Sequence, residues 1–252
     1  MKATQAPQKL LSLFFLFSQS AYGLVGGSDA PANNAPFTAA VISSGIFGDS
    51  YICAGSLISP KTVLTTAGCA DGSSASSLKV RLGSLEHATG GNLQQVTKII
   101  KHPNYNTNTR DSDFALLYLT DSVTEIKPVT IAEQATLTGA PVSLYGWGMT
   151  GKLSNENPQA LQRLNTTFIS SDDCSPLWAD VNPVTSNMNC DAAPEKQQGS
   201  CDHDQGGPVV NESGELVGLM GYYDYCEPQS DGRPDVNNDP LSAADWIALN
   251  TI

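Results

Sequence analysis

The chain has 252 residues, enough for one large domain or two small ones, and its 40% hydrophobic and 15% charged content is that of a globular protein. Its formal charge of −12 repels phosphate backbones and argues against a nucleic-acid partner. Twenty-two glycines and fifteen prolines favour many turns and short strands.

Residues 1–23 read as a signal peptide rather than as fold. Lys2 and Lys9 make a basic start, Leu10 to Phe17 is an apolar run too short to span a bilayer, and Ala21-Tyr22-Gly23 offers small residues for cleavage. A membrane anchor or a buried core segment is the competing reading of this stretch, and no later run is long enough to span. Removing it takes away two lysines and no acids, so the charge moves from −12 to −14. Six cysteines in a secreted chain predict three disulfides and leave their pairing open. No two of them are two to four residues apart, which disfavours zinc.

Short apolar segments then follow in order. Ala39–Ile42 and Tyr51–Ile58 predict strands, Leu78–Gly83 alternates as a half-buried strand does, and Val96–Ile100 predicts another. Residues 121–138 read as a link between two halves. Leu161–Ile169 and Leu216–Gly221 predict strands of the second half, and Ser242–Leu249 predicts a closing helix capped by Ser242. Asn165-Thr166-Thr167 and Asn211-Glu212-Ser213 are N-glycosylation triplets. The sequence names no cofactor and shows no ordered metal-binding loop.

Five motifs recur in a telling order: Leu24-Val25-Gly26-Gly27, Leu64-Thr65-Thr66-Ala67-Gly68-Cys69, Asp113-Phe114-Ala115-Leu116-Leu117, Gly146-Trp147-Gly148, and Cys201-Asp202-His203-Asp204-Gln205-Gly206-Gly207-Pro208. Together they resemble the chymotrypsin/trypsin-like serine proteases over the whole of residues 24–252. The resemblance implies an all-β fold of two six-stranded antiparallel barrels with a short C-terminal helix. It implies the pairings Cys53–Cys69, Cys174–Cys190 and Cys201–Cys226. It implies that an amino group freed at Leu24 pairs with Asp204, and signal peptidase itself would free it here.

The same resemblance marks what differs. Gly68 stands where the family has its catalytic histidine, Gln205 where it has its nucleophilic serine, and His203 where a glycine supplies an oxyanion donor. Asp113 keeps the place of the triad aspartate. The His102-Pro103-x-Tyr105 segment matches a structural stretch of the family, so His102 reads as structural. The His203 imidazole is expected to crowd the oxyanion site and fill the cleft. Gly199, Gly221, Tyr222, Tyr223 and Asp235 fall at positions of the specificity pocket, and the substitutions imply a narrowed or blocked pocket.

Acyl transfer of this kind needs an oxygen nucleophile, a neutral imidazole, an orienting carboxylate and two donors for the oxyanion. Gln205 has no ionisable proton and Gly68 offers no base, so the chain reads as a secreted, monomeric, non-catalytic homologue that binds an extracellular protein. The wording of Leu57–Cys69 is similar to that of secreted glucanase inhibitor proteins, which implies a secreted hydrolase such as an endo-β-1,3-glucanase as partner. Two further readings stand beside it. One is an active endopeptidase with a displaced constellation. The other is a glycan-binding adhesin using Tyr222, Tyr223 and Tyr225.

Overall fold

The computed structural model describes residues 24–46, 48–151, 157–195, 198–223, 226 and 233–252. The signal-peptide segment 1–23 and Tyr225 lie outside them.

Six strands close the first barrel: β2 (Thr38–Gly45), β3 (Gly48–Ser59), β4 (Thr62–Thr65), β5 (Leu78–Leu82), β6 (Asn92–Lys101) and β7 (Ala115–Leu119), in the order β2-β3-β4-β7-β6-β5. The alternation in β5 has the expected result, with Leu78, Val80 and Leu82 buried and Lys79 and Arg81 turned outward. In β7 all five residues are buried. One face packs in the barrel, and the chain's C-terminal helix lies nearby, where the Tyr118 hydroxyl donates to the Asn250 carbonyl.

The second barrel is built from β8 (Pro141–Gly146), β9 (Gln162–Ile169), β10 (Met188–Ala192), β11 (Pro208–Asn211), β12 (Leu216–Tyr222) and β13 (Asp235–Asn238). Their order β9-β10-β13-β12-β11-β8 is closed by pairing of β8 with β9, and the two-residue β1 (Ser28–Asp29) adds to β9. The pairings between these strands are antiparallel, and closure of each barrel removes the open edges that invite aggregation. The link at 121–138 is laced to both barrels: Val129 donates to Leu57 O in β3 at 2.9 Å and Ala132 to Leu216 O in β12 at 3.0 Å.

Two local features differ from the sequence reading. A helix α1 (Ser171–Trp178) was not expected. Ser170 caps it by accepting from Asp173 N, and Asp172 and Asp173 sit favourably in its first turn. At the C-terminus Ser242 is not a cap. Asp239 caps a 3-10 turn over Pro240–Ala243 by accepting from Leu241 N, and α2 (Ala244–Asn250) follows. The Ser242 hydroxyl instead donates to Asp239 O at 2.6 Å.

The three disulfides form with the pairing the resemblance implies: Cys53–Cys69, Cys174–Cys190 and Cys201–Cys226. The first ties β3 to the turn that carries Gly68. Replacing Cys53 and Cys69 together by serine is expected to cost roughly 3 kcal/mol, read as a lower urea midpoint. An unchanged midpoint would show that this loop adds nothing to stability. Among the described residues no helix is long and apolar enough to cross a membrane.

Candidate functional site

An open cleft of about 670 Å³ lies where the two barrels meet. The first barrel contributes Gly68, from the short turn after β4, and Asp113, just before β7. The second contributes Gln205 and Asp202 from the loop before β11, and Gly221, Tyr222 and Tyr223 from the end of β12. Trp178 of α1 and Arg110 complete its walls. Neither a serine nor a histidine is among these lining residues.

Asp113 is 3% exposed and accepts a hydrogen bond from the Gly68 amide at 2.7 Å. Burial pushes its carboxyl up to about 6, while the Gly68 amide and the Arg110 guanidinium pull it back down. The space over Gly68 is filled. A Cβ placed there would lie 2.7 Å from Arg110 Nη1, 3.4 Å from Tyr105 Oη and 3.5 Å from Asp113 Oδ2. A guanidinium therefore covers the glycine. Sequence reasoning passed over Arg110, and its only signal was a cation three residues before Asp113.

The Gln205 side chain turns back into its own loop. Its Oε1 accepts from the His203 amide at 3.0 Å, and its Nε2 lies 3.4 Å from the Tyr223 hydroxyl. Tyr223 in turn donates to Asp202 Oδ1. Burial, reinforced by the Asp202 carboxylate, pushes the Tyr223 phenol well up, so it stays a donor. His203 adopts φ 75°, the left-handed conformation that a glycine reaches without strain. Its ring does not crowd the cleft as expected. Nδ1 meets Asn157 Oδ1 at 3.0 Å and the ring stands edge-on to Tyr51, whose hydroxyl donates to His203 O at 2.9 Å. A left-handed backbone aims the side chain away from the cleft and leaves the amide facing Gln205. His102 packs between Phe114 and Trp246, away from the cleft.

Asp204 is fully buried and accepts from Gly148 N at 2.8 Å and Cys201 N at 3.0 Å. The expected ion pair needs an amino group freed at Leu24, which the full-length chain does not carry. The Leu24 side chain is packed in the second barrel's core. Burial pushes the Asp204 carboxyl up to about 7, while the Cys201 and Gly148 amides pull it back down. Its position explains the Gly-Trp-Gly motif, because a Cβ at Gly146 or Gly148 would overlap the Asp204 carboxylate. Gly148→Ala is expected to destabilise the fold by about 1–3 kcal/mol, checked by thermal unfolding. An unchanged melting temperature would mean that Asp204 moves aside freely.

The five pocket positions divide. Gly221, Tyr222 and Tyr223 line the cleft, whereas Gly199 and Asp235 do not. Gly199 donates to Val25 O at 3.0 Å. Asp235 lies opposite Asp191 across β10 and β13 and accepts from Ser200 N at 2.5 Å and Ser200 Oγ at 2.8 Å. Burial, with the Asp191 charge beside it, raises the Asp235 carboxyl well above the usual range. Asp235 thus closes on its own neighbours and presents no free carboxylate to the cleft. Among the described residues no group of three or more His, Cys, Asp or Glu is arranged to hold a metal ion.

Comparisons with known proteins agree with this architecture. The family model described as Trypsin matches residues 24–247. The chain is 34% identical to Trypsin 5G1 of Aedes aegypti over 229 residues, covering 89% of this chain and 83% of that protein. It is 32% identical to Trypsin alpha of Drosophila erecta, covering 89% and 86%. It is also 32% identical to Trypsin-4 of Rattus norvegicus over 251 residues, covering 94% and 96%. With two closed barrels, three disulfides and the cleft between them, this chain belongs to the trypsin family.

Proposed function

We propose that this member of the trypsin family is secreted and non-catalytic, and that it acts by binding another protein. The observation that carries this reading is Gln205. It offers no hydroxyl to attack a carbonyl, and its own side-chain carbonyl takes the His203 amide, an oxyanion donor in the family. Gly68 adds the loss of a base, and Arg110 stands in the space an imidazole would need. Loss of nucleophile or base alone costs on the order of 10⁶ in turnover. What remains is a rigid scaffold with an open cleft, suited to an interface. The three disulfides support an oxidising, extracellular setting.

The test is turnover of a broad fluorogenic peptide library by purified protein, beside a Gln205→Ala sample that exposes contaminants. No turnover above that sample is expected, and affinity capture of extracellular proteins follows. The similarity at Leu57–Cys69 makes a secreted endo-β-1,3-glucanase the first partner to try. Turnover that persists through purification and depends on a named residue would overturn the non-catalytic reading. Absence of binding to any glucanase tested would remove that partner only.

A further inference from the structure

We infer that Asn165 and Asn211 both carry N-linked oligosaccharides and that the two share one groove on the outer face of the second barrel. The strand register sets them on the two strands that flank β8, one residue out of step, and Asn211 reaches the groove from the last position of β11. Ser143 of β8 faces Asn165 on β9 and Val210 on β11, and its neighbour Val142 faces Asn211. The two asparagines therefore flank β8, roughly 10 Å apart at two strand spacings. Both line one groove of about 440 Å³, together with Ser143, Tyr145, Arg163 and Glu212.

Each triplet is presented for modification. Asn165 and Thr167 are both exposed, because residues two apart on a strand share a face. Asn211, Glu212 and Ser213 lead into the turn between β11 and β12. There Asn211 Oδ1 accepts from Glu215 N and its Nδ2 donates to Glu215 Oε2, both at 2.9 Å. The disulfides supply an independent observation, since they form in the oxidising compartment where this modification is made.

The donor is a lipid-pyrophosphate-linked oligosaccharide. A bond forms from the asparagine amide nitrogen to the sugar's C1, the C1–oxygen bond to the pyrophosphate breaks, and one amide proton leaves. The product amide keeps one N–H, so the bond from Asn211 to Glu215 survives. The groove shares no lining residue with the cleft. The sugars therefore cover the β8–β9–β11 face and leave the cleft open.

The test uses the protein secreted from a eukaryotic host. Enzymatic deglycosylation in heavy-oxygen water marks each used asparagine as a labelled aspartate, read by peptide mass spectrometry. Label at both positions is expected. Thr167→Ala and Ser213→Ala should each lose one oligosaccharide from the intact mass while leaving the asparagine contacts in place. The oligosaccharide on Asn165 should be more extensively processed in Ser213→Ala than in the unchanged protein, because its neighbour no longer crowds the groove. An unlabelled Asn165 or Asn211 in the unchanged protein would overturn the double modification. Identical oligosaccharides on Asn165 with and without the neighbour would overturn the shared groove.

Discussion

The double variant Gly68→His/Gln205→Ser is expected to hydrolyse an activated ester at least about 10³-fold faster than either single variant. Nucleophile and base act as one unit, so restoring one without the other gains little. The backbone already suits the pair. Asp113 is buried beside Gly68, with Oδ2 3.5 Å from the place of a histidine Cβ, where it can orient an imidazole. Arg110 Nη1 stands 2.7 Å from that place, but it is the far end of a flexible, exposed side chain and can swing out. The Gln205→Ser change also removes the carbonyl that occupies the His203 amide, so a donor for the oxyanion is freed. An ester with a small acyl group suits the test because Tyr223 lines the entrance and Asp235 is committed to Ser200. Steady-state ester turnover is read beside labelling of the introduced serine by a fluorophosphonate. Equal rates in single and double variants would mean that positions 68 and 205 do not act as base and nucleophile.

The melting temperature is expected to rise as pH falls from 8 to about 4, the reverse of acid-labile proteins. Asp191, Asp204 and Asp235 are buried, and burial raises all three: Asp191 to about 6, Asp204 to about 7 and Asp235 well above its usual range. Their folded values lie above those of the unfolded chain. Between roughly pH 4 and 7 the folded state therefore holds protons that the unfolded state has released, and stability drops as pH rises through this window. It is fully present below the unfolded carboxylate range and lost above the folded values. One pH unit between the folded and unfolded values of a single carboxyl is worth about 1.4 kcal/mol of stability. The surface carboxylates Asp49, Asp71 and Asp173 are lowered by their hydrogen-bond partners and act in the opposite sense below pH 4. They are exposed, and such contacts contribute little. Differential scanning calorimetry across this range checks the expectation, and Asp235→Asn should flatten the profile. A profile that falls toward pH 4 would mean that these acids are ionised in the fold. A chain beginning at Leu24 whose amino group reached Asp204 would lose that carboxylate's share.

Much of the frame was legible in the order of residues. Leu78, Val80 and Leu82 alternate with charged residues, and a half-buried strand is the only economical outcome. The sixteen-residue step from Cys53 to Cys69, inside the family's wording, carried the disulfide and with it the register of Gly68. The helix α1 was harder to read, because Pro176 and a polar first turn hide its period.

The sequence by itself determined which groups are present: no hydroxyl at 205, no imidazole at 68, a carboxylate at 113, and six cysteines. Their identity is a matter of composition at a position, which no folding alters. Only the tertiary structure decided where the replacements reach. Gln205 turns to its own loop's amide, His203 turns away because its backbone is left-handed, Arg110 covers Gly68, and Asp235 pairs with Ser200. Each of these depends on backbone direction and on neighbours brought close by barrel closure, and a buried polar group takes whichever partner that closure leaves within reach.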